Sequence, residues 1–383
     1  MSHLPYRRIS IALPSTGAHE WEAVREPIMS GWLTQGPKVA AFEQSFAAAH
    51  TVDYALATTS CTTALHLALA ALGVGPGDEV IVPAFTWVAT ANVVLYCGAT
   101  PVLADVDPLT FNIDVADAAA RVTPRTRAVI AVHLFGLCAD IDGLRAALPD
   151  SVAIVEDAAC AAGAEYRGRR AGGLGDAAAF SFHPRKSITT GEGGMLTTNQ
   201  SEIGQRADQL RNHGASISEE QRHRGPRPYL LPEFNLLGYN YRMTDLQGAV
   251  GLVQLEKLEA FVDERAAWAK WYREALQNVA WLRPPSEPED GRHAWQSFVT
   301  WIDPQTAPAK RNALMEQLQA RGIATRPGTH AVHALGYYAD RFGLEPQDYP
   351  GALACEQNSL AIPLHNRMVE EDYAYVVDAL QRL

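Results

Sequence analysis

The chain has 383 residues, 47% of them hydrophobic and 20% charged, with 32 basic against 43 acidic side chains and a net charge of −11. That balance excludes wholesale disorder, because enough apolar surface is present to offset the entropy of ordering, and it disfavours a polyphosphate partner, so no nucleic acid is expected. No run reaches the ~18 uncharged apolar residues of a spanning helix, and the N-terminus lacks the apolar core of a secretory signal, so no membrane association is expected. The five cysteines are odd in number and include no C-x-x-C pair. Neither a disulfide framework nor a metal site is therefore suggested, and a cytoplasmic location is expected.

In chain order, Tyr54–Ala57 reads as a strand and Thr62–Leu72 as a helix, with Ser60 or Thr62 as its cap. Strand Glu79–Val82, helix Ala89–Tyr96 and strand Pro101–Ala104 follow. Arg127–His133 and Val152–Val155 are short apolar runs of the kind covered on both faces. Ala177–Phe182 and Met195–Thr198 complete an alternation that predicts an α/β domain with a mostly parallel sheet. After about residue 245 the texture changes. Leu246–Leu276 reads as one very long helix, and a Pro-rich break follows. Beyond it come strand Trp295–Ile302, helix Ala309–Arg321, a loop over Thr325–His333 and a closing helix, Glu370–Leu383. We therefore expect a large domain over 1–250 and a smaller α+β domain over 251–383.

Ligands of open α/β sheets bind beyond the carboxyl ends of the strands, so the residues after each strand carry the functional reading. Thr58–Thr63 opens a helix, which makes it an anion site as well as an ordinary N-cap. Glu156 and Asp157 follow Val152–Val155; a carboxylate there needs a cation or a donor to stay ionised. Lys186 lies in a loop between apolar strands, beside Arg185, where burial and a neighbouring cation would both lower its pKa. Thr189–Gly194 permits close backbone approach but is not a phosphate-cradling loop. The glycines of Gly73–Gly77 follow a helix and precede a strand, the reverse of a dinucleotide fingerprint. A lysine, an acid, an anion site and an aromatic cover at Trp87 together fit pyridoxal 5'-phosphate.

These residues also carry a family resemblance. Ser30–Pro37, Thr59–Leu65, Phe85–Asn92, Glu156–Ala159, Ser181–Gly194 and Gly238–Thr244 resemble, in order, the signature segments of the DegT/DnrJ/EryC1/StrS sugar aminotransferases. The resemblance implies a fold type I enzyme: a large domain with a mostly parallel mixed sheet flanked by helices, plus the smaller C-terminal α+β domain. It implies that Lys186 carries the Schiff base and then moves the proton, and that Asp157 pairs with the ring nitrogen. Trp87 would stack on the ring. Cys61, Thr62 and Ser181 would hold the phosphate, and Asn240 of a neighbouring copy would complete it, in a homodimer with shared sites. Cys160 stands where relatives often have Gln or His, and its role is open.

The resemblance further implies transfer of an amino group from L-glutamate, through the pyridoxamine form, to a nucleoside-diphosphate keto sugar. The Thr-Thr-Gly-Glu-Gly-Gly run is similar to that of members acting at C4 of a 4-keto-6-deoxy sugar, and 324–333 is similar to the substrate segment of perosamine-type synthases. Trp32, Leu33, Thr34, His183, Glu192, Arg242, Arg326, His330 and His333 are the expected substrate contacts. Arg222, Arg224 and Arg227 could meet a diphosphate or form a solvated loop. Amination at C3, a keto-cyclitol substrate, and a non-catalytic protein on the same fold are the alternatives.

Overall fold

The computed structural model of the chain describes residues 5–217, 229, 231–288 and 290–383. Arg222, Arg224 and Arg227 lie outside the described residues. The central sheet has seven strands, in the order Tyr54–Thr58, Gly194–Thr198, Ala177–Ser181, Ala153–Asp157, Thr126–Val132, Glu79–Pro83, Thr100–Ala104. Gly194–Thr198 alone runs against its neighbours; the remaining strands are parallel to one another. The parallel strands are apolar on both faces because helices cover both. Ile81, Val82, Val129, Ile130, Ile154 and Val155 are fully buried.

The helix Cys61–Ala71 packs on the strands Ala177–Ser181 and Gly194–Thr198 and beneath the helices Ala89–Tyr96 and Ser201–Arg211. It is apolar nearly all round, as a helix enclosed by other elements must be. A second core surrounds the three-stranded sheet Leu282–Arg283, Phe298–Ile302, Ser359–Ile362 and is built from Tyr272, Leu314, Leu318, Tyr373 and Val376. Ile9 belongs to this core, held by Ile9 N–H on the Gly322 carbonyl and Ala324 N–H on the Ile9 carbonyl, both at 2.9 Å.

Three expectations change. The long helix is two, Asp245–Glu256 and Leu258–Ala275. Lys257 turns the chain there, anchored to buried Glu20, and the apolar pattern runs through the break because Leu258 and Val262 pack in the cluster of Phe42 and Phe46. Trp295 lies outside the strand Phe298–Ile302, in a left-handed turn (φ 49°) with its ring stacked 4.0 Å from His293. Thr325–His333 is not wholly loop: His330–Ala331 pairs antiparallel with Phe85–Thr86.

Candidate active site

The parallel strands open their carboxyl ends on one edge of the sheet. Tyr54–Thr58 is one of the two edge strands, and a buried ion pair covers its free side. Arg211 meets Glu43 at close contact; Glu43 accepts the Ala57 N–H at 2.8 Å and Arg211 donates to the Ala57 carbonyl at 2.8 Å. At the strand's end, Ser60 Oγ accepts the Thr63 N–H at 3.2 Å and Thr63 Oγ1 accepts the Ser60 N–H at 3.0 Å. This reciprocal cap leaves the N–H groups of Cys61 and Thr62, and the Thr62 hydroxyl, without protein partners among the described residues. They are the open donors of a helix N-terminus. Gly194 pairs with Thr58 on one side and Ser181 on the other. A Cβ on Gly194 would stand 2.4–2.5 Å from backbone atoms of Ser60 and Cys61, so glycine alone lets the strand pass under the turn. Ser181 Oγ accepts only a long 3.4 Å bond from the His183 N–H.

The central strand runs to Asp157 rather than stopping at Val155, so Glu156 and Asp157 point to opposite faces. Glu156 faces away from the open turn. Its Oε1 accepts the N–H groups of Leu174 (2.8 Å) and Gly175 (2.7 Å); its Oε2 accepts Gly172 N–H at 2.7 Å and lies 3.0 Å from His133 Nε2. Ala139 N–H donates to His133 Nδ1 at 3.0 Å, which puts the ring proton on Nε2, donating to Glu156. Burial pushes Glu156 up, but His133 and the glycine amides outweigh it and hold the carboxyl below its usual range.

Asp157 faces the site. Its Oδ2 accepts Thr90 Oγ1–H at 2.8 Å, and its Oδ1 accepts Ala159 N–H at 3.2 Å with the Cys61 thiol 3.9 Å away. Burial wins here and pushes the carboxyl above its usual range, against Thr90, the Ala159 amide and Lys186. Asp157 makes no ion pair among the described residues; Lys186 acts on it only through space and does not offset its burial.

Lys186 sits in the turn after Ala177–Ser181. Its N–H donates to the His183 carbonyl at 2.8 Å, and the Arg185 N–H donates to His183 Nδ1 at 3.2 Å, so His183 shapes the turn that carries the lysine. Lys186 Nζ donates to Cys160 Sγ at 3.1 Å. The expected fall in its pKa is not what the structure shows. Burial pulls the amine down, but Cys160, Cys61 and Asp157 pull it up and prevail, while Arg185 points to solvent. Ser187 Oγ, next in the chain, is buried without a partner.

Trp87 is 60% exposed at the rim, its ring 5.6 Å from that of His330 across the short ribbon. Arg326 is exposed beside Ala361, with which its backbone pairs. His333 does not join them. It is fully buried, with Nε2 on the Pro346 carbonyl at 3.0 Å and its ring against Tyr349, a core histidine three residues from the exposed one. Glu192 is exposed and contributes its carbonyl, which accepts Thr190 Oγ1–H and a Gln247 side-chain N–H, both at 2.6 Å. Leu33 and Thr34 are exposed on a loop whose carbonyls receive the Asp245 N–H at 3.2 Å; the Trp32 indole N–H donates to the Gln35 carbonyl at 3.2 Å. Asp245, which sequence reasoning missed, also caps the helix Pro37–His50 through Lys38 and Val39 N–H at 3.2 and 3.0 Å. Arg242 lies against Thr58 and donates to Asn212 at 2.8 Å, with its Nε buried and unpartnered. Asn240 is exposed two residues earlier.

Cys61, Thr62, Asp157, Cys160, Ser181 and Lys186 thus converge. Open amides beside a glycine cradle suit a phosphate, an uncompensated buried carboxylate suits a ring N–H, and an amine lies close enough to Asp157 for each to shift the other's ionisation. The residues fit pyridoxal phosphate.

Comparison with known proteins agrees. Residues 14–381 match the DegT/DnrJ/EryC1/StrS aminotransferase family. The chain is 40% identical over 386 residues to the GDP-perosamine synthase of Caulobacter vibrioides, covering all of both chains. It is 40% identical over 380 residues to the spore coat polysaccharide biosynthesis protein SpsC of Bacillus subtilis, covering 99% of this chain and 96% of that one. The PLP form of a sugar aminotransferase from Streptococcus pneumoniae superposes with a TM-score of 0.90 at 28% identity over 98% of each chain. The chain therefore belongs to the DegT/DnrJ/EryC1/StrS aminotransferase family and is a pyridoxal-phosphate-dependent transaminase.

Proposed function

We propose that the enzyme transfers an amino group from L-glutamate to C4 of a nucleoside-diphosphate-linked 4-keto-6-deoxy sugar, for polysaccharide or glycoconjugate synthesis. The observation that carries the reaction is the placing of Lys186, bonded to Cys160, near enough to buried Asp157 for each to shift the other's ionisation, at the edge where Cys61 and Thr62 offer open amides. The likeness to a GDP-perosamine synthase supports the sugar class.

Bound pyridoxal phosphate supplies an electron sink for charge that develops at the reacting carbon. Asp157 keeps the ring nitrogen protonated and so keeps that sink effective. Cys61 and Thr62 N–H, with the Thr62 and Ser181 hydroxyls, anchor the phosphate end. Lys186 Nζ would take the proton from the amino donor's carbon in the first half-reaction and, in the second, deliver a proton to the sugar carbon. Trp87 and His330 would close one side of the ring, and Cys160, bonded to Lys186, would line the same site. His183, Glu192, Arg242, Arg326 and the 32–34 loop surround the sugar nucleotide.

The protein works as a homodimer with shared sites. Exposure of Asn240, and of Trp21, Ile28 and Met29 on the first helices, supports this. The five cysteines are free, which supports a cytoplasmic setting, and among the described residues no helix is long and apolar enough to cross a membrane.

The test is incubation with L-glutamate and nucleotide-linked 4-keto and 3-keto sugars, with the new amine located by NMR. Amination at C4 with release of 2-oxoglutarate is expected. Turnover of the 3-keto sugar alone would replace the C4 reading. Mixing inactive Lys186→Ala and Asn240→Ala proteins should restore part of the activity if sites are shared.

A further inference from the structure

Asp157, the carboxylate assigned to the ring nitrogen, is reached by a chain of two hydroxyls. Thr90 Oγ1 lies 2.8 Å from Asp157 Oδ2, and Thr86 Oγ1 lies 3.0 Å from Thr90 Oγ1. All three side chains are buried: Thr90 at 0%, Thr86 at 1% and Asp157 at 5% exposure. Thr90 lies in the first turn of the helix Ala89–Tyr96, and Thr86 lies in the segment that pairs with His330–Ala331. One hydroxyl is therefore fixed to a helix and the other to the ribbon at the rim.

A hydroxyl carries one proton. While Asp157 is ionised it can only accept, so Thr90 donates to Asp157. Thr90 then has only lone pairs left for Thr86, and Thr86 must donate to it. Protonation of Oδ2 would reverse the first bond and free the Thr90 proton for Thr86. An ionised Asp157 therefore fixes the direction of the chain. The remaining donors on Asp157 are weaker in geometry: Ala159 N–H at 3.2 Å and the Cys61 thiol at 3.9 Å. Lys186 and His133 are the charged or titratable groups that also act on it, together with the Cys61 thiol.

We infer that Thr90 is the positioning residue for Asp157, and that Thr86, by donating to Thr90, aims that hydroxyl so the carboxylate meets the ring nitrogen ionised and in one orientation. The inference rests on the assignment of Asp157 above, and the variants below separate the two.

The experiment compares Thr90→Val, Thr90→Ser, Thr86→Val and Asp157→Asn in the full-length protein. It measures the pyridoxal phosphate dissociation constant after stripping and re-adding the cofactor, and the pH profile of the glutamate half-reaction. Valine keeps the volume of threonine but leaves Oδ2 bare, so Thr90→Val should weaken cofactor binding about tenfold or more. It should also move the acid limb of the pH profile upward, because an Asp157 without its donor protonates more easily. Thr90→Ser should restore both values. Thr86→Val should shift the acid limb in the same direction by less. If Asp157→Asn impairs binding while Thr90→Val matches wild type in both readouts, the relay is overturned and the site stands. If both match wild type, Asp157 is not the ring partner and the relay falls with it. Should Thr90→Val fail to fold, an unmoved acid limb in Thr86→Val overturns the relay on its own.

Discussion

Glu156 and Asp157 are consecutive residues of one strand, both carboxylates and both buried, yet the two faces of the sheet treat them oppositely. On one face Glu156 receives four donors and holds the 172–175 loop, and its carboxyl is kept below the usual range. On the other, Asp157 has one good hydroxyl, one long amide and a distant thiol, and burial pushes it up. Burial is common to both, so it does not decide the charge; the supply of donors does. The first arrangement stabilises the empty protein. The second leaves a carboxylate that, on the proposed reading, meets its partner only in the bound cofactor.

Exchanging each carboxylate for its amide should break the pair most sharply. Asp157→Asn should lower the transamination rate by about 10²–10³-fold while raising the thermal stability of the cofactor-free protein, because a buried charge whose partners do not offset its burial is removed. Glu156→Gln should do the reverse. It should lose about 3 kcal/mol of folding free energy, read by urea titration, with little change in rate per folded molecule.

A smaller effect tests the turn beneath the phosphate. Gly194→Ala places a methyl 2.4–2.5 Å from the Ser60 and Cys61 backbone. It should cost about 1–3 kcal/mol and weaken cofactor binding more than Gly336→Ala, where nothing lies within 4 Å of an added Cβ and φ is not positive. Acid titration sharpens the comparison further. Glu156 is depressed, so its contribution is present above the unfolded carboxyl pKa and is lost as pH falls through its folded value. Asp157 is raised, so its penalty is relieved as pH falls through its folded value. Wild type should therefore lose stability in acid more steeply than Glu156→Gln, and less steeply than Asp157→Asn.

Much of this was legible in the sequence, for physical reasons that also mark where legibility stops. The strands were readable because enclosed parallel strands are short apolar runs, and Lys186 and Asp157 were readable because they follow such runs. The two faces of Glu156 and Asp157 were hidden by two residues of strand, since the apolar run ends at Val155 while the hydrogen bonding continues. Thr86 and Thr90 carry no signal of their own; a threonine in an apolar stretch looks the same whether or not its hydroxyl meets a carboxylate. The ribbon at His330–Ala331 is too short to show alternation. His330 and His333 looked alike in the sequence, yet one faces Trp87 and the other is turned into the core. The direction of the Lys186 shift depended on Cys160, distant in sequence by 26 residues and three strands.

The most direct test is the visible absorption spectrum of the purified protein, before and after L-glutamate, alongside Lys186→Ala. Wild type should carry a yellow band of lysine-bound cofactor that bleaches when glutamate is added, and Lys186→Ala should show neither the band nor the bleaching. A wild-type protein that stays colourless with added pyridoxal phosphate, or a Lys186→Ala protein that still responds to glutamate as wild type does, would contradict the account.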